Sequence, residues 1–250
     1  SAATVVINWA RIMAQIGYYF WAALAVGGPQ RKVSFSVPTG NFGDIFAGYL
    51  AHQMGLPVAQ LVIATNANDI LHRCISGNDH SKRPLVHSLS PSMDIMVSSN
   101  FERLLFDLYE RDDVAIRQLM ETFHTTGEFK LAESALAKAR HLFGSACVDD
   151  ELTVQTIAEE YGASDYLLDP HSAIGLAAGR RCRSDDSVPM ICLATAHPAK
   201  FPEAVQRAGY PGAPPLPPHM SDLFEKAERF AVCANDRASV HRFIADHVSA

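Results

Sequence analysis

A chain of 250 residues that is 48% hydrophobic can bury a substantial core as one domain or most of one, which excludes an intrinsically disordered chain. Its net charge of −6, from 27 acidic against 21 basic residues, argues against a general surface for nucleic acid or anionic membrane and leaves room for a local basic pocket. Five cysteines (Cys74, Cys147, Cys182, Cys192, Cys233) without a CxxC pair, and eleven histidines without HExxH, fit reduced thiols and no structural metal.

In chain order, residues 4–26 read as a helix whose second half, 12–26, is strongly apolar. Gln15 interrupts that run, which is shorter than the roughly 18 to 20 apolar residues needed to cross a bilayer. With no start methionine or cleavage site framing a signal peptide, a buried helix is expected. Asn8, Arg11 and Gln15 are spaced at three and four residues and share one face, which either lines a cleft for an anionic substrate or forms a solvent-facing stripe. After a turn at 27–32, the run VSFSV at 33–37 reads as a buried strand that stops at Pro38. Thr39, Gly40, Asn41, Phe42 and Gly43 then form a turn, and Asp44 opens a helix that ends at Gly55. Strand, glycine-bearing turn and helix start aim several N–H groups and a positive dipole end at one small volume suited to a phosphate. An ordinary strand-to-helix turn stays open as an alternative, because the spacings GxGxxG and GxxxxGK[ST] are absent.

Residues 60–64 read as a second strand, followed by turn and cap residues and a short helix to about residue 75. The polar stretch SGNDHSKRP, 76–84, is expected to be a mobile surface loop. Ser99 and Glu102 have the spacing of a capping box for a helix through residue 109. Helices interrupted near 125–127, and a further one at 149–161, make 112–162 a candidate helical insertion. Asp169 before Pro170 caps a helix over 172–181, and beside it His171 either does proton chemistry or is structural. Residues 188–194 form a third strand with Thr195 at its carboxyl end, the rim where open parallel sheets bind ligands. An irregular linker at 209–218, a candidate strand at 230–233 and a closing helix at 237–248 complete the chain.

The segment SVPTGNFGDIFAGYLAHQMGLP resembles the phosphate cup of threonine synthase, a pyridoxal-phosphate (PLP) enzyme of fold type II. INWARIMAQ, LVIATNANDILHR, SPSMDIMVSSNFERLLFDL, LLDPHSAIGLAAG and LATAHPAKFPEAV resemble the same family in the same order. The resemblance covers nearly the whole chain but only the C-terminal part of the family's longer sequence. It implies an α/β fold, a mainly parallel sheet flanked by helices and similar to the β subunit of tryptophan synthase. It also implies pyridoxal 5'-phosphate as cofactor, anchored by Gly40, Asn41, Phe42, Gly43 and Asp44, with Thr195 on the pyridine nitrogen. Asp44 is expected to cap the helix more than to touch a dianion. Asn8 and Arg11 match the family's substrate-phosphate segment, although Val5 and Val6 stand where an Asn-Ser pair is usual.

The family's Schiff-base lysine lies N-terminal to every matched block, and neither Lys32 nor Lys200 fits its motif. The resemblance therefore implies a cytoplasmic enzyme that makes threonine from O-phosphohomoserine and water, of which this sequence is a fragment, inactive without its N-terminal part. A phospho-lyase that eliminates phosphate without making threonine, and a non-catalytic binding protein of the same fold, are the alternatives. Beyond the small-molecule substrate, neither nucleic acid nor membrane is an expected partner.

Overall fold

The computed structural model describes residues 9–248. It divides into two units, Ser1–Pro214 and Pro215–Ala250. The first is built from helix α1 (Trp9–Ala25), strand β1 (Val33–Pro38), α2 (Gly43–Gln53), β2 (Val58–Thr65) and α3 (Ile70–Gly77). Then come β3 (His80–Ser81), α4 (Phe101–Leu108), α5 (Asp113–Thr126), β4 (Glu128–Phe129), α6 (Glu133–Leu142) and β5 (Phe143–Cys147). Next are α7 (Asp150–Ser164), α8 (Pro170–Cys182), β6 (Met190–Cys192) and α9 (Pro202–Arg207). The second unit holds short 3-10 turns and the helix α10 (Arg237–Val248).

The main sheet has the order β5-β2-β1-β6, and all its pairings are parallel. Phe35 lies between Leu61 on one side and Ile191 on the other. Every residue of β1 is buried, as a strand covered by helices on both faces must be. The two-residue alternation divides the strands between two cores. Phe35, Val37, Leu61 and Ile63 pack into the larger cluster with α1, α2 and α3, while Val62 and Ala64 pack with Ile174, Ala177 and Ala178 of α8.

Small residues let α8 lie close against the sheet. A Cβ on Gly175 would sit 3.0 Å from Pro38 Cγ, and one on Gly179 would sit 2.9 Å from Cys192 Sγ. The Ser36 hydroxyl donates to the Gly175 carbonyl at 2.5 Å, so a polar residue inside the sheet is satisfied by the helix above it. Glycines at successive turns of one helix thus form the surface on which β1 and β6 rest.

The expected strands are present with shifted ends. The second runs Val58–Thr65, longer than 60–64, and the third only Met190–Cys192, shorter than 188–194. The segment 112–162 supplies β5, an edge strand of the main sheet paired to β2 from Leu61↔Phe143 to Thr65↔Cys147. No strand forms at 230–233, which is irregular. Helix α1 is not buried all round: Ile12, Tyr19 and Ala23 face the core, and Trp9, Met13, Trp21 and Leu24 are exposed. Among the described residues no helix is long and apolar enough to cross a membrane.

The polar stretch at 76–84 is tied down rather than loose. The buried Arg73 guanidinium pairs with Asp69 and Asp79, each at 2.7 Å, and donates to the Ser81 carbonyl at 2.8 Å. That clasp presents His80 to β4, where its ring stacks on Phe129 at 4.2 Å and lies 5.1 Å from Phe123.

Burial, with the Arg73 cation nearby and against the pull of Asp79, pushes the His80 imidazole down to about 3. Among the described residues its Nδ1 has no hydrogen-bond partner. The folded state therefore keeps His80 neutral, while the unfolded state takes up a proton below its ordinary value of about 6.5. This stability is complete above pH 6.5 and is lost as pH falls from there toward 3. In urea titrations between pH 6 and pH 4, the parent should lose about 1.4 kcal/mol per pH unit more than His80→Phe. Parallel pH profiles for the two proteins would show that His80 is charged in the fold.

Candidate active site

At the carboxyl end of β1 the chain turns sharply. Thr39 N–H donates to the Ala64 carbonyl at 2.8 Å, holding the turn to β2, and its hydroxyl returns to the Val37 carbonyl at 2.6 Å. Phe42, with φ 63°, is the residue from which α2 starts. Its ring is fully buried against Phe101 at 5.1 Å, which holds a non-glycine residue in the left-handed region. Gly40 has no room for a side chain, since a Cβ there would lie 3.0 Å from the Ser92 carbonyl oxygen.

No side chain caps α2. The N–H groups of the first helical turn have no intrahelical acceptor by construction. Among the described residues no hydrogen bond uses the N–H of Gly40, Asn41 or Phe42 either. The carbonyls of the same turn are engaged from the other side. The Asn41 carbonyl accepts from Asn100 N at 3.2 Å and from Asn100 Nδ2 at 2.9 Å, and the Gly40 carbonyl accepts from the Ser98 hydroxyl at 3.0 Å. The turn is thus fixed through its acceptors while its donors stay available at the positive end of a helix.

These donors line a cavity of about 210 Å³ that also includes Arg11 and Gln15 of α1. Arg11 is exposed and makes no ion pair among the described residues. Asn8, expected beside it, lies outside the described residues.

Asp44 does not cap the helix, contrary to the sequence expectation. It stands inside the first turn, where its carboxylate accepts from the Tyr18 hydroxyl and, at 3.0 Å, from the Tyr19 hydroxyl, which is also 2.9 Å from the Asp44 carbonyl. Burial raises the Asp44 carboxyl above its ordinary value, against the two phenol hydrogen bonds that pull it down. Tyr19 can reach it because α2 has Gly48 where a Cβ would lie 2.6 Å from the ring. The expected capping box at Ser99 and Glu102 is also absent. α4 begins after Asn100, and the Ser99 hydroxyl points at Asn41 Oδ1 at 3.4 Å.

A second cavity of about 550 Å³ shares Gln15 and Asp44 with the first and reaches Tyr18, Trp21, Leu193 and Thr195. Thr195 is exposed at the rim beyond β6, and its N–H donates to the Ser172 hydroxyl at 3.1 Å. The structure therefore brings Arg11, Gly40, Asn41, Phe42, Gly43 and Asp44 together around one cavity and places Thr195 on its neighbour. No lysine lines either of them. Lys32 lies before β1, at the opposite end of the strand from the cup, and Lys200 lines neither cavity, its Nζ lying over the Phe201 ring at 5.7 Å from the centroid. Asn100, Ser98 and the two tyrosines were not singled out in the sequence as site residues. Each acts over a long stretch of chain, and only Ser98 and Asn100, both inside the SSNF block, carried a local signal.

The family model described as "Threonine synthase, C-terminal" matches residues 172–244. A threonine synthase from Pseudomonas aeruginosa is 60% identical over 241 residues, 96% of this chain and 51% of that protein. The PLP-bound threonine synthase of Brucella melitensis superposes with a TM-score of 0.93 at 49% identity, over 98% of this chain and 52% of that one. Yeast threonine synthase does so with a TM-score of 0.87 at 37% identity, over 97% and 53%. The chain spans about half the length of the curated relatives it matches. The α/β fold expected from the resemblance is the fold of these structures, and the chain is similar in sequence and architecture to about half of threonine synthase, including the part that the C-terminal family model describes.

Proposed function

We propose that this chain forms the phosphate cup and ring-nitrogen contact of a PLP-dependent threonine synthase, which converts O-phosphohomoserine and water to threonine and phosphate. The observation that carries this reading is the uncapped start of α2, with the free N–H groups of Gly40, Asn41 and Phe42, in a cavity adjoining the one that holds Thr195. A phosphate ester with a flat heteroaromatic ring matches this pair of cavities in chemistry: an anion site made of backbone donors, and beside it a space where the apolar faces of Trp21, Ala22 and Leu193 meet the polar groups of Gln15, Tyr18, Asp44 and Thr195.

PLP, when bound, supplies an electron-withdrawing ring that stabilises negative charge on the substrate carbons next to its amine. The chain's own part is binding and orientation. Gly40, Asn41, Phe42 and Gly43 hold the cofactor phosphate through backbone N–H groups, so charge is met by fixed dipoles that need not reorganise. Asp44 lines the same cavity and would stand near that phosphate, its carboxylate held by hydrogen bonds from the Tyr18 and Tyr19 hydroxyls. Thr195 offers the pyridine nitrogen a neutral hydroxyl, which does not force that nitrogen to keep a proton as a carboxylate would. Arg11, and Asn8 with it, serve the phosphate of the substrate.

The proton transfers at the substrate carbons need a positioned amine of depressed pKa, and no lysine lines the two cavities. Residues 1–250 alone are therefore proposed to be inactive, the amine coming from a further part of the enzyme. The unpaired cysteines fit a cytoplasmic setting, and the acidic net charge gives no reason to expect a nucleic-acid partner.

A Cβ on Gly43 would meet Asn100 Nδ2 at 3.4 Å, and the two methyl groups of valine would extend farther into the cup. Gly43→Val should weaken PLP retention by roughly tenfold or more, read from cofactor absorbance after gel filtration. Unchanged retention would remove the phosphate from this turn. In a separate test, residues 1–250 are incubated with PLP, reduced with borohydride and mapped by mass spectrometry. Neither stoichiometric labelling of Lys32 or Lys200 nor threonine formation is expected, and finding both would place the catalytic amine in this chain.

A further inference from the structure

The start of α8 contains a buried polar cluster that the cofactor-binding reading leaves unused. Asp169, His171 and Ser172 are each about 3% exposed or less, an expensive place for a carboxylate and an imidazole unless every polar atom has a partner. Here they do. Asp169 caps the helix by accepting from His171 N at 2.9 Å, and its Oδ1 also accepts from His171 Nδ1 at 2.9 Å. Its Oδ2 accepts from the Ser172 hydroxyl. A cap alone would need neither of the two side-chain contacts.

Both side chains pass the connection outward. Because His171 Nδ1 donates to Asp169, its Nε2 is the acceptor of the neutral ring, and it receives the Ser92 N–H at 3.3 Å. Ser92 belongs to the 3-10 turn Pro91–Met93 whose backbone packs on the cup's glycine, with its carbonyl oxygen 3.0 Å from where a Gly40 Cβ would be. Because the Ser172 hydroxyl donates to Asp169, its lone pairs face outward and receive the Thr195 N–H at 3.1 Å. One carboxylate thereby sets the donor and acceptor sense of two arms, one ending at the backbone packed against Gly40 of the cup and the other at the hydroxyl-bearing rim.

The geometry points to Asp169, His171 and Ser172 as positioning residues that set the spacing between the phosphate cup and Thr195, through Ser92 on one arm and the Thr195 backbone on the other. This rests on the cofactor-binding reading above. A ligand held at its phosphate and at its ring nitrogen needs those two contacts at a fixed separation, and the pairing of β1 with β6 ends at Ser36↔Cys192 and the Leu193 N–H to the Ser36 carbonyl, short of Gly40 and of Thr195. The Asp169 carboxyl fits the task. Burial raises it, but the hydrogen bonds from His171 and Ser172 outweigh that and hold it below the ordinary carboxylate range, so it remains an acceptor for both arms.

The test uses amide hydrogen exchange on residues 1–250 without cofactor, followed by PLP binding. Ser172→Ala should speed exchange at Thr195 by about tenfold or more and leave Ser92 unchanged. His171→Asn, which keeps a donor toward Asp169 but loses the distant acceptor, should do the reverse, and His171→Gln, with an oxygen near the Nε2 position, should restore part of the protection at Ser92. With PLP added, Ser172→Ala should shift the resonance of 15N in the cofactor ring more than that of its phosphorus, and His171→Asn should shift the phosphorus more. A general loosening, in which both amides respond alike to both variants, would overturn the proposal, as would unchanged Thr195 exchange in Ser172→Ala. If the exchange pattern appears but the parent chain takes up no PLP, the arms are real and their role toward this cofactor is overturned, together with the functional reading.

Discussion

A helix start with no side chain to satisfy it is the constraint on which the site depends. Unmet N–H groups at a helix N-terminus cost free energy when they are kept from water, and other helices here avoid that cost with a carboxylate: Asp112 before α5, Asp149 before α7 and Asp169 before α8. α2 has Phe42 at that position, a residue that can cap nothing. Its aromatic ring is used for packing, and the donors of the turn are left to whatever enters the cavity. The architecture around the turn serves to hold this arrangement. Asn100 and Ser98 grip its carbonyls, Thr39 ties it to β2, and the Ser92 backbone closes over Gly40.

Close approach between backbones recurs wherever an element must be placed against the site. Gly48 lets the Tyr19 ring enter between α1 and α2 and reach Asp44, and Gly175 and Gly179 let α8 settle on Pro38, Ser36 and Cys192. The second contact matters for function because α8 begins at the Asp169 cluster. Pressing the helix onto β1 and β6 brings its N-terminus level with the carboxyl ends of those strands, where the cup and Thr195 both lie. A larger residue at Gly48 or Gly179 would force Tyr19 or Cys192 to shift, and one at Gly175 would press on Pro38 at the end of β1.

The parts of this arrangement legible in the sequence were those carried by neighbours in the chain. VSFSVP followed by TGNFG shows a strand, a turn and a helix start within a dozen residues, and VPMICLAT places Thr195 just past a strand. Local pattern misled where a local partner was displaced by a distant one. Asp44 looks like a cap, yet tyrosines from α1 hold it; Ser99 and Glu102 look like a capping box, yet Asn41 draws both Ser99 and Asn100 toward the cup. Strand β5 was hidden because FGSAC follows a helix without a break and is short and rich in small residues, features of an edge strand that only its pairing with β2 reveals. Asp169 was readable as a cap but not as the centre of two arms, since Ser92 and Thr195 lie far from it in sequence.

The proposed function depends above all on binding of the cofactor phosphate by the backbone donors of one turn. It is tested most directly by following the amide 1H–15N resonances of residues 1–250 while PLP is titrated in. Saturable downfield shifts are expected at Gly40, Asn41, Phe42 and Gly43, reproduced at those positions by inorganic phosphate at higher concentration, with Thr195 responding to PLP only. Saturable binding that leaves those amides unmoved, with the shifts gathered elsewhere in the chain, would contradict it.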